Sequence, residues 1–101
     1  MSKVRIELPE PFDPGMRKLA FVEGRQIAVF NVAGELFAID NSCPHAGGSL
    51  FSGKLEGRVV RCPSHGLRFD LASGCIAGEG GMQVATHPIE RVPGGALIAL
   101  P

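Results

Sequence analysis

Two short segments of the sequence combine a cysteine with a histidine at close spacing. They are Cys43-Pro44-His45 and Cys62-Pro63-Ser64-His65, separated by sixteen residues. Each segment offers one soft thiolate and one imidazole, and the proline after each cysteine stiffens the turn and removes a backbone donor near the sulfur. Four potential metal ligands therefore come from two loops that could hold a metal site from two sides.

Two kinds of metal centre fit this ligand set. One is a tetrahedral zinc site with two Cys and two His, and the other is a [2Fe–2S] cluster with two Cys on one iron and two His on the other. Zinc fingers usually group like ligands as C-x(2–4)-C and H-x(3–5)-H, whereas each segment here mixes one of each. Mixed pairs favour a site with two metal ions that have different ligands.

Composition limits the remaining possibilities. The 101 residues suit one domain, and 45% apolar residues with 14 Gly and 8 Pro indicate short β-elements joined by many turns. Ten basic and ten acidic residues give no net charge, and no basic run suggests nucleic acid as a partner. Three cysteines are an odd number, which makes a disulfide framework a poor explanation.

The amino-terminal sequence lacks the apolar core of a secretory signal, and no apolar stretch approaches the roughly 18 residues that span a bilayer. We therefore expect a cytoplasmic protein without a membrane partner.

Short apolar or alternating runs separated by Gly, Pro, Asn or Asp predict strands, and no capped helical periodicity persists for three turns. The predicted strands are Val4–Leu8, Lys18–Val22, Gln26–Val32, Leu36–Ile39, Arg58–Arg61, Leu67–Asp70, Val84–Thr86 and Ala96–Leu100. Glycine supplies the positive φ of tight hairpin turns. The predicted turns are Glu23–Gly24, Ala33–Gly34 and Gly94–Gly95.

The middle of the chain is different in character. Residues 41–81 are rich in Gly, Pro and Ser, and they contain all three cysteines and two of the three histidines. We predict one domain over residues 1–101 in which a loop-built metal site, residues 41–81, is inserted into a β-scaffold.

Residues 43–48 (CPHAGG) and 62–70 (CPSHGLRFD) resemble the two cluster-binding boxes of the Rieske family, and residues 71–74 (LASG) continue the match. The resemblance implies an all-β Rieske fold: an antiparallel β-sandwich or partial barrel, a loop-rich cluster-binding subdomain and a closing strand pair over residues 88–97. It also implies one [2Fe–2S] cluster per chain. By that resemblance, the iron ligands are Cys43 and Cys62 on one iron and His45 and His65 on the other.

The resemblance also indicates which kind of Rieske protein this is. Respiratory Rieske proteins join the boxes by a disulfide, but the corresponding positions here are Gly48 and Ser64. Those proteins also donate hydrogen bonds to cluster sulfurs from a Ser and a Tyr, where this chain has Leu67 and Phe69. Such bonds stabilise the reduced state, so we predict a potential at the low end of the range of about −150 to +300 mV.

A low potential suits a monomeric electron carrier between a flavoprotein reductase and a terminal oxygenase, as in ring-hydroxylating dioxygenase systems. Transient partner contact is expected around Pro44, His45, His65 and Leu67. The chain has no nucleophile set, P-loop or dinucleotide fingerprint, and it is too short to add the mononuclear iron domain of an oxygenase, so we expect no enzyme activity.

Two alternatives remain open at this point. The first is a Rieske-like small subunit of another oxidoreductase, such as nitrite reductase. The second is a zinc-stabilised binding module in which the same four residues only cross-link the loops.

Three further residues receive structural interpretations. Cys75, in an apolar run, is expected in the core, and His87 is expected to be structural because no second ligand is nearby in sequence. Glu79 lies in residues 77–81, where the family often has a Pro-containing third loop. We interpret it as a solvated carboxylate rather than a charge that tunes the cluster or docks a basic partner.

Overall fold

The computed structural model describes residues 2–42, 48–63, 66–76 and 83–100. These ranges contain β-strands, one 3₁₀ turn (Leu50–Ser52) and no α-helix. The strands are β1 Ser2–Glu7, β2 Arg17–Val22, β3 Arg25–Val32, β4 Glu35–Asp40, β5 Lys54–Glu56, β6 Val59–Arg61, β7 Arg68–Asp70, β8 Thr86–His87, β9 Ile89–Val92 and β10 Gly95–Leu100.

All strand pairs are antiparallel, and the strands form three sheets. The first sheet has the order β1-β10-β9, and the second has the order β2-β3-β4-β8. The third sheet, β5-β6-β7, is built entirely from the chain between the two Cys/His segments and just beyond the second one. It therefore lies where it can position the candidate metal ligands.

Strand β3 connects two hydrophobic cores because side chains alternate between the two faces of a strand. Ile27 and Val29 lie in a first core with residues of β1, β2 and β10, whereas Ala28 and Phe30 lie in a second core with residues of β4, β6 and β7. All four are fully buried. A strand buried on both faces explains why this stretch is a nearly continuous apolar run.

The hairpin turns follow the predictions closely, with one shift. Glu23–Gly24 and Ala33–Gly34 each have two consecutive positive φ angles, as type I′ turns require. The third turn was predicted one residue too late: it is Pro93–Gly94, and Gly95 already pairs with Val92 inside the sheet. Proline presets φ at the first turn position and Gly94 has the positive φ (74°) needed at the second.

Other strand predictions need small corrections. Strand β5 was not predicted, because only three residues lie between Gly53 and Gly57. The strand predicted at Val84–Thr86 is instead Thr86–His87, since the Val84 N–H donates to the Gly74 carbonyl rather than to a neighbouring strand. The closing pair expected over residues 88–97 is present as β9 and β10.

Within the described ranges, no helix is long and apolar enough to cross a membrane.

Candidate metal centre

The second Cys/His segment begins directly after β6, and its cysteine lies inside the protein. Cys62 is fully buried in the second core, together with Val60 and Phe69. The Cys62 N–H donates to the Leu67 carbonyl (2.7 Å), and the Gly66 N–H donates to the Cys62 carbonyl (2.9 Å). These two bonds close the loop between β6 and β7 and hold the cysteine at its base.

The base of the first segment is organised by Asn41, whose side chain is almost completely buried (3% exposed). Its Nδ2 donates to Gln26 Oε1 (3.1 Å) and Ser49 Oγ (3.0 Å), while its Oδ1 accepts the Phe51 N–H (2.7 Å). The Leu50 N–H donates to the Asn41 carbonyl (2.8 Å). The chain that enters residues 43–47 is thereby tied to the chain that leaves them.

A direct backbone contact joins the chain that follows the first segment to the chain that precedes the second. A Cβ atom on Gly53 would overlap the carbonyl oxygen of Arg61, the residue before Cys62. Arg17 of β2 also holds this part of the chain. Its Nη1 donates to the carbonyls of Phe51 (2.7 Å) and Gly53 (2.6 Å). Its guanidinium also lies over the Phe30 ring, 5.2 Å from the centroid.

A tight turn follows β7 and completes this part of the structure. Asp70 Oδ1 accepts the N–H groups of Ala72 (2.8 Å) and Ser73 (3.1 Å), and the Gly74 N–H donates to the Asp70 carbonyl (2.7 Å). Gly74 has φ 79°, and a Cβ atom there would overlap the Val84 carbonyl. Asp70 of the second box and Gly74 of the LASG continuation therefore have structural roles in a turn that packs against Val84 and Thr86.

The structure describes only part of the predicted ligand set. Cys62 is placed as given above, whereas Cys43, His45 and His65 lie outside the described residues, as do Pro44, Ser64 and Glu79. No group of three or more His, Cys, Asp or Glu side chains with metal-binding geometry occurs within the described ranges. The four-ligand assignment thus remains a prediction.

Cys75 and His87 differ from each other in outcome. Cys75 was expected in the core, but it is only half-buried, and its Sγ accepts a hydrogen bond from Gln83 Nε2 (3.1 Å). The next residue, Ile76, pairs with Phe69 of the edge strand β7, and at this edge the polar Gln83 reaches the sulfur. His87 is buried in β8 with Nε2 2.7 Å from Asp40 Oδ1, which is a structural contact at the end of β4.

The described surroundings of Cys62 fit a cysteine ligand of an iron–sulfur cluster. Cys62 offers a thiolate at a position shielded from water by apolar side chains. Leu67, the last residue before β7, is half-buried against the same core. Phe69 is fully buried and, like Leu67, carries no hydroxyl. A soft thiolate in a dry, rigid setting is the chemistry that such a cluster needs from its protein.

Sequence reasoning missed three residues that build this site. Asn41 had a detectable signal, because it is a polar residue between an apolar strand and the first Cys/His segment. Arg17 had none, since its carbonyl partners are 34 and 36 residues away. Gly53 resembles any turn glycine in the sequence, although its role is a close backbone approach.

Known proteins resemble this chain in both sequence and fold. A family model described as the Rieske [2Fe–2S] domain matches residues 3–88. The ferredoxin component of the naphthalene 1,2-dioxygenase system of Pseudomonas putida is 37% identical over 70 residues, which cover 68% of this chain and 67% of that protein.

Solved structures are similar over almost the whole chain. A ferredoxin of Sphingomonas yanoikuyae B1 superposes with a TM-score of 0.85 at 31% identity, covering 99% of this chain and all of that one. A chain from a complex of reduced oxygenase and oxidized ferredoxin in carbazole 1,9a-dioxygenase has a TM-score of 0.83 at 25% identity, covering 96% of this chain and 92% of that one.

Proposed function

The chain belongs to the Rieske [2Fe–2S] domain family, and from that premise we propose that it is the ferredoxin of a ring-hydroxylating dioxygenase system. In this role it carries single electrons from a flavin-dependent reductase to a terminal oxygenase. It is an electron carrier and not the catalytic component, as the names of its relatives indicate for those proteins. The all-β Rieske fold predicted from the sequence is confirmed by the solved ferredoxin structures.

The chain carries one [2Fe–2S] cluster, and we assign its ligands as Cys43 and Cys62 on one iron and His45 and His65 on the other. When bound, the cluster supplies reversible one-electron chemistry. The observation that supports the assignment best is the full burial of Cys62 at the base of a hydrogen-bonded loop. Burial excludes water from the thiolate, and the Asn41 contacts tie together the chain before and after the first segment.

The finer features of the proposal concern architecture, partners and location. We regard residues 1–101 as one Rieske domain with a cluster-binding insertion over residues 41–81, because the third sheet lies wholly inside that range. The protein acts as a monomer in the cytoplasm and touches its reductase and oxygenase in turn. The carbazole dioxygenase complex, in which a ferredoxin meets an oxygenase, supports the second contact.

The first experiment is metal analysis with spectroscopy on the purified protein. We expect about two irons and two sulfides per chain, visible absorption that bleaches with dithionite, and a rhombic EPR signal after uptake of one electron. A colourless protein that holds about one zinc would overturn the proposal and favour a structural binding module.

Histidine variants test the ligand assignment. His45→Ala and His65→Ala should each lose the mixed-ligand EPR signal and most of the iron. His87→Ala is the matched control, because His87 contacts Asp40 in β8, and it should keep about two irons with some loss of stability. An intact mixed-ligand signal in His65→Ala would refute the assignment of that residue.

A further inference from the structure

The outward face of the third sheet carries a row of three cations. Lys54 pairs directly with Arg61 across β5 and β6, and Arg61 pairs with Arg68 across β6 and β7. Residues directly opposite each other on antiparallel strands point to the same face. The next residues along these strands, Leu55, Val60 and Phe69, pack in the second core, so Lys54, Arg61 and Arg68 face solvent and are exposed. We call these three residues the cation row.

The charge of the cation row is only partly compensated. Arg68 Nε lies 3.3 Å from Glu56 Oε1. In the part of the chain that the structure describes, neither Lys54 nor Arg61 forms an ion pair with a carboxylate. Like charges directly opposite each other destabilise a sheet. The three adjacent cations therefore lower the stability of the folded protein rather than raise it.

The cation row borders the second Cys/His loop. Arg61 immediately precedes Cys62, and Arg68 immediately follows Leu67, so both ends of the loop emerge from the row. The Arg61 guanidinium also lies over the loop, since its Nε would be 3.7 Å from a Cβ atom on Gly66. Positive charge thus lies at both ends of the loop that carries the buried Cys62.

The excess of positive charge is local to this part of the chain and is not a property of the whole protein. The whole sequence has ten basic and ten acidic residues. The range 48–76 holds four of the basic residues and only two of the acidic ones, Glu56 and Asp70. Those two carboxylates pair with Arg68 and Arg58 and lie at the other end of the strands from the loop. The protein is therefore neutral overall but positive beside the second loop.

We propose that the cation row is a docking surface for a redox protein that presents carboxylates around its own electron-transfer centre. The proposal rests on the proposed function, because it places the docking surface next to the loop of Cys62. Complementary charge accelerates encounter and fixes orientation without requiring a large interface, which suits a carrier that must also dissociate. Nucleic acid is a poorer fit, since the one aromatic residue of the third sheet, Phe69, is buried and offers no stacking surface.

The test measures binding of poly-L-glutamate to the purified holoprotein by amide NMR, on samples whose iron content is determined in parallel. We expect shifts at Lys54, Arg61 and Arg68 that vanish when the salt concentration rises. Lys54→Glu combined with Arg61→Glu should weaken binding about tenfold or more. Lys54→Gln combined with Arg61→Gln should give an intermediate loss. Lys3→Glu, at an exposed strand lysine on β1, is the matched control and should bind like the original protein.

Stopped-flow oxidation of the reduced protein gives a second readout. One electron passes from the reduced cluster to hexacyanoferrate(III), an anion, or to hexaammineruthenium(III), a cation. We expect rising salt to slow the first reaction and not the second, and the double Glu variant to remove this difference. Two irons with no poly-L-glutamate shifts at the row would overturn this inference and leave the proposed function standing. Tighter binding of polyuridylate than of poly-L-glutamate would also overturn it, and a sample without iron would overturn both proposals.

Discussion

The backbone of Gly53 lies directly against the carbonyl oxygen of Arg61. Gly53 follows the first Cys/His segment and Arg61 immediately precedes Cys62, so this contact fixes one segment relative to the other. Arg17 reinforces it by donating to the Gly53 carbonyl. The two halves of the candidate site are therefore joined by the backbone itself, independently of any metal.

Replacement of Gly53 by alanine should strain this junction. Gly53 has φ −75°, which any residue adopts, so the whole effect comes from the overlap of the new methyl group with the Arg61 carbonyl. We expect Gly53→Ala to cost about 1–3 kcal/mol of unfolding free energy and to lower iron content. Calorimetry and iron analysis measure the two effects.

Gly57→Ala in the same hairpin is the control for this prediction. Gly57 has φ 59° and open space where a Cβ atom would lie, so alanine there costs only about 1 kcal/mol of left-handed backbone strain. Iron content should stay at the original level. A larger loss of iron in Gly57→Ala than in Gly53→Ala would contradict the role assigned to the Gly53 contact.

Asn41→Ala should release the base of the first segment. The substitution leaves the Phe51 N–H and the Ser49 hydroxyl without their buried partner, and each such group costs about 1–3 kcal/mol when it is left unsatisfied. We expect a lower melting temperature together with faster loss of iron to a chelator. The chelation rate, followed by visible absorption, distinguishes a role in positioning the metal site from a contribution to overall stability.

Asn31→Ala is the matched control because Asn31 is also a fully buried asparagine. Its Nδ2 donates to the Phe12 carbonyl (2.7 Å) and its Oδ1 accepts the Gly34 N–H (2.9 Å), so its side-chain partners differ from those of Asn41. This variant should lose stability but keep the original chelation rate. Equal chelation rates in the two variants would show that Asn41 acts only through global stability.

The two described cysteines should respond differently to substitution. Cys62→Ser should lose most of its iron, since a serine oxygen is a poor substitute for a buried thiolate ligand. Cys75→Ser should keep about two irons, because a half-buried hydroxyl can still accept the hydrogen bond from Gln83. Iron analysis and EPR separate the two results, and loss of iron in Cys75→Ser would assign that residue to the metal site.

Leu67→Ser tests the origin of the low potential that we predict. Respiratory Rieske proteins have a serine at the matching position that donates to a cluster sulfur, so by that resemblance a hydroxyl here should stabilise the reduced state. We expect the potential to rise by about 40 mV, the equivalent of roughly 1 kcal/mol for a one-electron step. Leu55→Ser, which removes a similar apolar contact from β5, should leave the potential unchanged. Spectroelectrochemistry measures both, and an unchanged or lower potential in Leu67→Ser would count against the explanation.

The sequence by itself determined the features that depend on neighbouring residues. The type I′ turns at Glu23–Gly24 and Ala33–Gly34 need only two residues that accept positive φ, and the strands beside them need only short apolar runs. The Cys/His segments and the following LASG turn are likewise local, which is why they identify the family. Even among these local features, the third turn lies one residue earlier than predicted, because Pro93 occupies its first position.

Only the tertiary structure decided which distant residues meet. The Arg17 contacts and the overlap at Gly53 join residues far apart in sequence, and no local pattern encodes them. Cys75 is half-buried because it lies beside the edge strand β7, where it pairs with Gln83. The cation row depends on strand register, since a slip of one residue would move a side chain to the opposite face of the sheet. Register and close packing are properties of the folded chain, and they place both the buried thiolate and the charges beside it.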